Sequence, residues 1–124
     1  MPYQVLIVED SATTRAFIMS ALQDLEGIEF VESATGFEAL KALPRHKFNL
    51  ILTDINMPDI NGLELISFIR NNPNYKDIPL FIISTEKSEY DRKKGLMIGA
   101  NEYVIKPFVP DKLKELVLKY LAKK

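Results

Sequence analysis

Short apolar runs rich in β-branched and aromatic residues recur along the chain at roughly regular intervals. There are five of them, at Tyr3 to Val8, Ile28 to Val31, Leu50 to Thr53, Leu80 to Ile83 and Glu102 to Ile105. Runs of this length predict β-strands. Because they are nearly continuous rather than alternating with polar residues, they are typical of strands buried on both faces, as in a parallel sheet covered by helices.

Between these runs the apolar positions change to the spacing of an amphipathic helix. The last helix is predicted to begin at Asp111 or the residue before it, with an apolar face made of Leu113, Leu116, Val117, Tyr120 and Leu121. The first helix is predicted to have Ser11 or Thr13 as its N-cap. Its inward face is predicted to consist of Phe17, Ile18, Ala21, Leu22 and Leu25.

Three further helices are predicted between the second and fifth strands. One begins at Gly36 and is closed by Pro44, and the next runs from about Gly62 to Arg70. The third, Ser88 to Ile98, is crowded with charged side chains, has few apolar anchors and contains Gly95. Since glycine costs a helix about 1 kcal/mol relative to alanine, we expect this helix to be the least firmly docked and the one able to shift.

The alternation of strands and helices predicts an α/β fold with a five-stranded, mostly parallel sheet and helices on both faces. With 124 residues, 47% of them hydrophobic, one domain over residues 1–124 is expected. The net charge of -1 gives no support to nucleic-acid binding, and the absence of cysteine excludes disulfides and thiol nucleophiles. No apolar stretch approaches the ~18 residues of a membrane span, so we expect a soluble, cytoplasmic protein.

Candidate chemistry lies where three of the predicted strands end. The first strand runs into Glu9 and Asp10, the third into Asp54, and the fifth into Lys106. Because the carboxyl ends of parallel strands meet at one edge of a sheet, these side chains are expected in one crevice. Carboxylates ~4 Å apart repel by roughly 4 kcal/mol per pair at an effective dielectric near 20, so the cluster favours a divalent cation. Mg²⁺ fits, with Asp10 and Asp54 as direct ligands and Glu9 acting through water.

Asp54 is the candidate nucleophile of this cluster. A carboxylate in this position can accept a phosphoryl group when a metal neutralises the incoming charge. Asp54 could instead be a turn former ahead of the third helix, and Glu9 and Asp10 could merely cap the first helix.

Lys106 and a hydroxyl after the fourth strand are candidates for binding phosphate oxygens. Lys106 could pair with carboxylates at rest and with phosphate after transfer, or extend into solvent as a surface lysine. Its bond to Pro107 is a candidate for the cis form. Ser84 is the preferred hydroxyl donor and Thr85 the competing one, and either could instead cap a helix.

Four segments combine these residues into a recognisable set. They are Val8-Glu9-Asp10, Thr53-Asp54-Ile55-Asn56-Met57-Pro58-Asp59-Ile60-Asn61-Gly62, Ile83-Ser84-Thr85-Glu86 and Gly99-Ala100-Asn101-Glu102-Tyr103-Val104-Ile105-Lys106-Pro107-Phe108. Together they resemble the receiver domain of two-component response regulators, and in particular its single-domain, CheY-like members. The resemblance covers the whole chain and implies the flavodoxin-like strand order 2-1-3-4-5, with the crevice between the first and third strands.

The resemblance implies a role for each residue of the crevice. Asp54 would accept the phosphoryl group in a magnesium-dependent reaction. The metal ligands would be Glu9, Asp10, Asp54 and the backbone carbonyl of Asn56, and the groups that bind phosphoryl oxygens would be Lys106 and Ser84. Glu9 departs from the aspartate that is commonest in the family, which changes the surroundings of the metal but leaves magnesium binding expected.

The resemblance also implies a switch and its partners. Movement of Ser84 towards the phosphoryl group would let the Tyr103 ring turn inward, although Tyr103 could simply be a half-buried strand residue. Asn56 and Glu86 would line the path of the attacking water and so set the lifetime of the acyl phosphate. The partners would be a histidine kinase or histidine phosphotransfer domain and a downstream protein that binds the fourth helix, fifth strand and fifth helix of a monomer. Chemotaxis is one pathway open to such a regulator, and a phosphorelay intermediate or a phosphate sink are others.

Two other classes of protein share parts of this pattern. A haloacid-dehalogenase-type phosphatase uses the same nucleophile, metal, hydroxyl and lysine, but it needs a general acid two residues after the nucleophile. Asn56 occupies that position and its amide cannot transfer the proton, so we expect self-phosphorylation and slow autodephosphorylation rather than enzymatic turnover. A flavin-binding module is disfavoured because Glu9 and Asp10 would repel the FMN phosphate.

Overall fold

A five-stranded parallel sheet forms the centre of the molecule in the computed structural model, which describes residues 3–85 and 89–121. Its strands are β1 (Tyr3–Val8), β2 (Ile28–Ser33), β3 (Leu50–Thr53), β4 (Leu80–Ser84) and β5 (Glu102–Ile105). Their order is β2-β1-β3-β4-β5, which confirms the predicted topology. Two strands extend beyond their apolar runs because Ser33 pairs with Val8 and Ser84 pairs with Ile105.

Five helices lie in the described ranges, as predicted: four connect consecutive strands, and the fifth follows β5. They are α1 (Ala12–Leu22), α2 (Gly36–Ala42), α3 (Gly62–Arg70), α4 (Glu89–Ile98) and α5 (Pro110–Leu121). Pro44 does not close α2 directly, because the helix ends at Ala42 and Pro44 lies within a following 3-10 turn, Leu43–Arg45. Ser88, the predicted start of the fourth helix, lies outside the described residues. No helix in the described ranges is long and apolar enough to cross a membrane.

The N-terminal cap and inner face of α1 are largely as predicted. The Ser11 hydroxyl accepts a hydrogen bond from the backbone N–H of Thr14 at 3.2 Å, so Ser11 rather than Thr13 is the N-cap. Phe17 was expected on the inner face, but its side chain is 46% exposed and its ring contacts Phe108. The reason is geometric: adjacent helical residues point about 100° apart, so Phe17 cannot share the direction of the buried Ile18.

The two faces of the sheet carry separate apolar cores. Successive strand residues point to opposite faces, so Leu6 and Val8 of β1 lie in one core, and Val5 and Ile7 lie in the other. Helices α2 and α3 cover the first core with Ala39, Leu65, Ile66 and Ile69. Helices α1 and α5 cover the second with Ile18, Leu22, Leu113, Val117 and Leu121. This burial on both faces confirms what the continuous apolar runs indicate.

Helix α4 buries no apolar side chain completely. Its only fully buried residue is Gly95, whereas the described part of every other helix buries at least one apolar side chain. A Cβ atom at Gly95 would lie 2.5 Å from Cδ1 of Ile82 and 3.6 Å from the Tyr103 ring, so glycine permits the close approach of α4 to β4 and β5. Tyr90 and Met97 are 70% and 87% exposed on its outer face.

Candidate functional site

The site lies at the carboxyl ends of β1 and β3, which are neighbours in the interior of the sheet. Val8 and Thr53 are paired in the β1–β3 ladder, and Asp54 continues it by donating its backbone N–H to the carbonyl of Val8 at 3.0 Å. Glu9 continues the β1–β2 ladder through a 2.9 Å bond from its N–H to the carbonyl of Ser33. Both carboxylates are therefore mounted on hydrogen-bonded backbone rather than on free loops.

Three carboxylates meet at this point. Glu9, Asp10 and Asp54 each offer an oxygen atom, and these atoms lie within 4.8 Å of one another. Glu9 is 3% exposed and Asp54 9% exposed, while Asp10 faces solvent. Hard oxygen ligands from a few carboxylates, with an open side for water, are what Mg²⁺ prefers. The acidic cluster therefore fits the metal site that the resemblance implies.

Lys106 joins the carboxylates from the end of β5. Its Nζ lies 2.7 Å from Oε1 of Glu9 and 3.2 Å from Oδ2 of Asp54. The bond from Lys106 to Pro107 is cis. The ammonium group is the counterion of two buried carboxylates in the described structure, and it compensates only part of the negative charge of the three acids.

The ionisation of Glu9 and Lys106 reflects this partial compensation. Burial raises the pKa of Glu9 above its ordinary value, although the hydrogen bonds from Lys106 and Ser11 act in the opposite direction. Burial alone would lower the pKa of Lys106, but its hydrogen bond to Glu9 and the charges of Asp54 and Glu9 outweigh burial and raise it. The ammonium ion is therefore held firmly in its charged form, while the Glu9 carboxylate would gain from a second cation.

Arg15 fixes the backbone of Glu9, and its part in the site was not predicted. Its guanidinium donates to the carbonyl oxygen of Glu9 at 2.6 Å and pairs with Glu32 of β2 at 2.9 Å. The Ser11 N–H also donates to Oε2 of Glu9 at 3.0 Å. One signal was present in the sequence: a cation one turn into a helix opposes the helix dipole, which indicates a specific acceptor nearby.

The carboxylate of Asp54 is oriented from two sides. Its Oδ1 accepts the backbone N–H of Ile55 at 2.7 Å, and its Oδ2 faces Lys106. Behind it, a Cβ atom at Gly62 would lie 2.0 Å from the Asp54 carbonyl oxygen, so only glycine lets α3 begin so close. Gly62 was predicted only as a helix start, and this packing role was missed.

The remaining predicted residues surround this centre. Ser84 is fully buried at the end of β4, and its carbonyl accepts the N–H of Lys106 at 2.8 Å, whereas Thr85 is exposed. Asn56 is exposed in the loop after β3, and Tyr103 is half-buried beside Gly95. Glu86 lies outside the described residues. The structure thus brings Glu9, Asp10, Asp54 and Lys106 together, with Ser84 joined to Lys106 through the backbone.

Residues 5–118 match the family model of the response regulator receiver domain, and the chain belongs to this family. A chemotaxis protein CheY homolog of Campylobacter jejuni is 36% identical over 113 residues, which is 90% of this chain and 87% of that protein. The chemotaxis response regulator CheY4 of Vibrio cholerae is 33% identical, with a TM-score of 0.88 over 98% of this chain and 100% of that chain.

A receiver domain of a sensor histidine kinase from Pseudomonas aeruginosa has a magnesium ion coordinated in its active site cleft. It is 25% identical to this chain, with a TM-score of 0.87 over 98% of this chain and 99% of that one. These relationships make the chain a regulator of the two-component type rather than a conventional enzyme, and they favour neither the phosphatase nor the flavin-binding alternative.

Proposed function

We propose that Asp54 accepts a phosphoryl group from a histidine kinase or histidine phosphotransfer domain and that the modified protein signals to a downstream partner. The observation that carries the proposal is the setting of Asp54. It is a buried carboxylate at a strand end, its Oδ2 lies 3.2 Å from Nζ of Lys106, and it has an oxygen within 4.8 Å of oxygens of Glu9 and Asp10. A carboxylate oxygen held beside a cation and a metal site is prepared to attack phosphorus.

In the transfer step, an Asp54 carboxylate oxygen forms a bond to phosphorus. The bond between phosphorus and the donor histidine nitrogen breaks, and its electron pair leaves with the imidazole. Mg²⁺, held by Asp10, Asp54, Glu9 and the Asn56 carbonyl, would neutralise the phosphoryl oxygens, as the magnesium-bound relative from P. aeruginosa suggests. Lys106 and Ser84 bind the transferred oxygens, and Lys106 is already placed to exchange a carboxylate for a phosphoryl oxygen.

The signal travels to the face formed by α4, β5 and α5. Ser84 moves towards the new phosphoryl group, and Tyr103 turns inward against α4. Two features of the structure support this route: α4 buries only Gly95, and Tyr103 lies beside that glycine. A downstream protein would bind the altered face of the monomer, whose exposed side chains include Tyr90 and Met97.

The phosphorylated state is long-lived enough to act as a signal. Asn56, two residues after Asp54, offers an amide where a phosphatase would place a proton donor, and with Glu86 it sets the rate of water attack. The chain catalyses only its own phosphorylation and slow dephosphorylation. The similarity to CheY proteins supports a role in chemotaxis in the cytoplasm, with a phosphorelay intermediate or phosphate sink as the second candidate.

Phosphorylation of Asp54 can be tested by incubating the protein with Mg²⁺ and acetyl phosphate. Intact mass spectrometry should show one added phosphoryl group on the wild type and none on Asp54→Asn, while Asp111→Asn, an exposed acid on α5, should react like the wild type. Unchanged modification of Asp54→Asn would refute the assignment. Steady phosphate release from many substrates at enzyme-like rates would instead identify a phosphatase.

A further inference from the structure

The first residues of α2 are tied to the loop between β3 and α3, which comprises residues 54–61. The two carboxylate oxygens of Asp59 each accept one backbone hydrogen bond, Oδ1 from Gly36 at 3.0 Å and Oδ2 from Phe37 at 2.8 Å. These partners are 23 and 22 positions away in the sequence. Asp59 therefore holds two separate segments together through both of its oxygens.

The contact surface around Asp59 is tight. A Cβ atom at Gly36 would lie 2.8 Å from the Cβ of Ile60, so only a glycine lets α2 begin this close to the loop. Helix α2 is in turn fixed to the sheet by Ala39, which is fully buried in the core. The loop is thus anchored to an element that is itself packed against the core.

The hydrogen bonds of Asp59 attach the loop to α2, whereas the hydrogen bond at the base of the loop only joins its two ends. The N–H of Gly62 donates to the carbonyl of Ile55 at 2.7 Å, which closes the loop at its two ends. Asn56 and Asp59 lie between these ends. With the base closed but the Asp59 bonds removed, the loop could tilt as a unit about its base, and the carbonyl of Asn56 would tilt with it.

The ionisation of Asp59 suits this role. Desolvation acts to raise its pKa, but backbone N–H groups, chiefly those of Phe37 and Gly36, outweigh it and hold the pKa below its ordinary value. At neutral pH the side chain is therefore a carboxylate with two strong acceptor oxygens. An asparagine in its place would retain only one acceptor oxygen.

We infer that Asp59 is a positioning residue for the metal site: by binding the start of α2, it holds the loop so that the Asn56 carbonyl is available beside Asp54. The inference rests on the proposed function, in which that carbonyl is a magnesium ligand. Asp59 itself is not one of the clustered carboxylates Glu9, Asp10 and Asp54. Groups that orient metal ligands typically change metal affinity by about 10- to 100-fold when removed, and Asp59, acting through the loop, belongs at the lower end of that range.

The test is a magnesium titration of the wild type and three variants. Backbone amide NMR shifts and calorimetry are the two readouts of binding. Asp59→Ala should weaken magnesium binding by about tenfold, and Asp59→Asn, with one acceptor left, should weaken it less. Thr35→Ala is the matched control, because the Thr35 hydroxyl caps α2 through the N–H of Glu38 at 3.1 Å without touching the loop. It should leave magnesium affinity unchanged while lowering the melting temperature.

The outcomes separate this inference from the proposed function. If the wild type binds no magnesium, the proposed metal site is wrong. If the wild type binds magnesium and both Asp59 variants bind it equally well, Asp59 does not position the loop. An equal loss of affinity in Thr35→Ala would also overturn the inference, since it would trace the effect to the stability of α2. Should Asp59→Ala fail to fold, Asp59→Asn and the hydrogen exchange of the Asn56 and Met57 amides give the answer.

Discussion

The two ends of the central sheet each hold a partly buried cation, and the two cations have different kinds of partner. At the carboxyl end, Lys106 pairs with the carboxylates of Glu9 and Asp54. At the amino end, Arg70 donates to neutral oxygens: the carbonyls of Gly99 at 2.8 Å, Ile78 at 2.7 Å and Lys76 at 2.9 Å, and the side-chain oxygen of Asn101 at 2.9 Å.

This difference separates a responsive site from a fixed junction. Lys106 pairs with two of the three clustered acids and neutralises the cluster only in part, so under the proposed function an arriving cation or phosphoryl group would change which partners it prefers. Arg70 is held by oxygens of the backbone and an amide, whose charge no ligand alters. Asn101 extends the junction by accepting the N–H of Leu80, the first residue of β4. Under the proposed function, the carboxyl end of the sheet therefore responds to an arriving charge, whereas the amino end is a fixed structural junction.

The largest expected effect comes from removing the fixed junction. Arg70→Ala leaves three backbone carbonyls without their donor and opens a space where the arginine stem packs on Gly99, so we expect it to lower the free energy of unfolding by about 3 kcal/mol. Urea denaturation measures this change. The loss should be the same with and without Mg²⁺, and a loss that depends on Mg²⁺ would show that the two ends of the sheet are coupled.

At the responsive end, by contrast, the effect of a substitution on stability should depend on Mg²⁺. Lys106→Met removes the counterion of two buried carboxylates and should cost about 2 kcal/mol in magnesium-free buffer. Because the remaining acids then bind a divalent cation more strongly, saturating Mg²⁺ should stabilise this variant more than it stabilises the wild type. The same urea denaturation in the two buffers is the measurement. Equal stabilisation of both proteins would mean that Lys106 and the metal do not share the carboxylates.

The sequence predicts the responsive end better than the fixed one. Glu9, Asp54 and Lys106 could be placed in one crevice because each directly follows an apolar run, and the carboxyl ends of parallel strands lie at the same edge of a sheet. Arg70 could be predicted only as the last residue of a helix, and Asp59 only as part of a loop. Most of their partners are backbone groups of other segments, and no periodicity or residue type records which carbonyl or N–H lies nearby. The prediction that Phe17 faces the core was wrong for a related reason, because helical spacing alone does not decide which of two adjacent apolar residues faces the core.

The smallest expected effect concerns an acid at the fixed end. Glu102, the first residue of β5, accepts a hydrogen bond from the Tyr120 hydroxyl at 2.6 Å, so here a carboxylate is paired with a neutral phenol rather than a cation. Tyr120→Phe removes this bond and should lower the free energy of unfolding at neutral pH by about 0.5 to 1 kcal/mol, because the pair is partly solvated. Unlike the effect of Lys106→Met, the loss should not depend on Mg²⁺.

The pH dependence of this bond gives a further check on that assignment. Desolvation and the adjoining Glu102 carboxylate raise the pKa of Tyr120 from 10.0 to about 12. A raised pKa means that the folded state holds the proton more tightly than the unfolded state does, so the stabilisation is complete below pH 10 and is lost as the pH rises towards about 12. The advantage of the wild type over Tyr120→Phe should therefore shrink in denaturation experiments above pH 10. A difference that stays constant through that range would show that the phenol does not depend on Glu102.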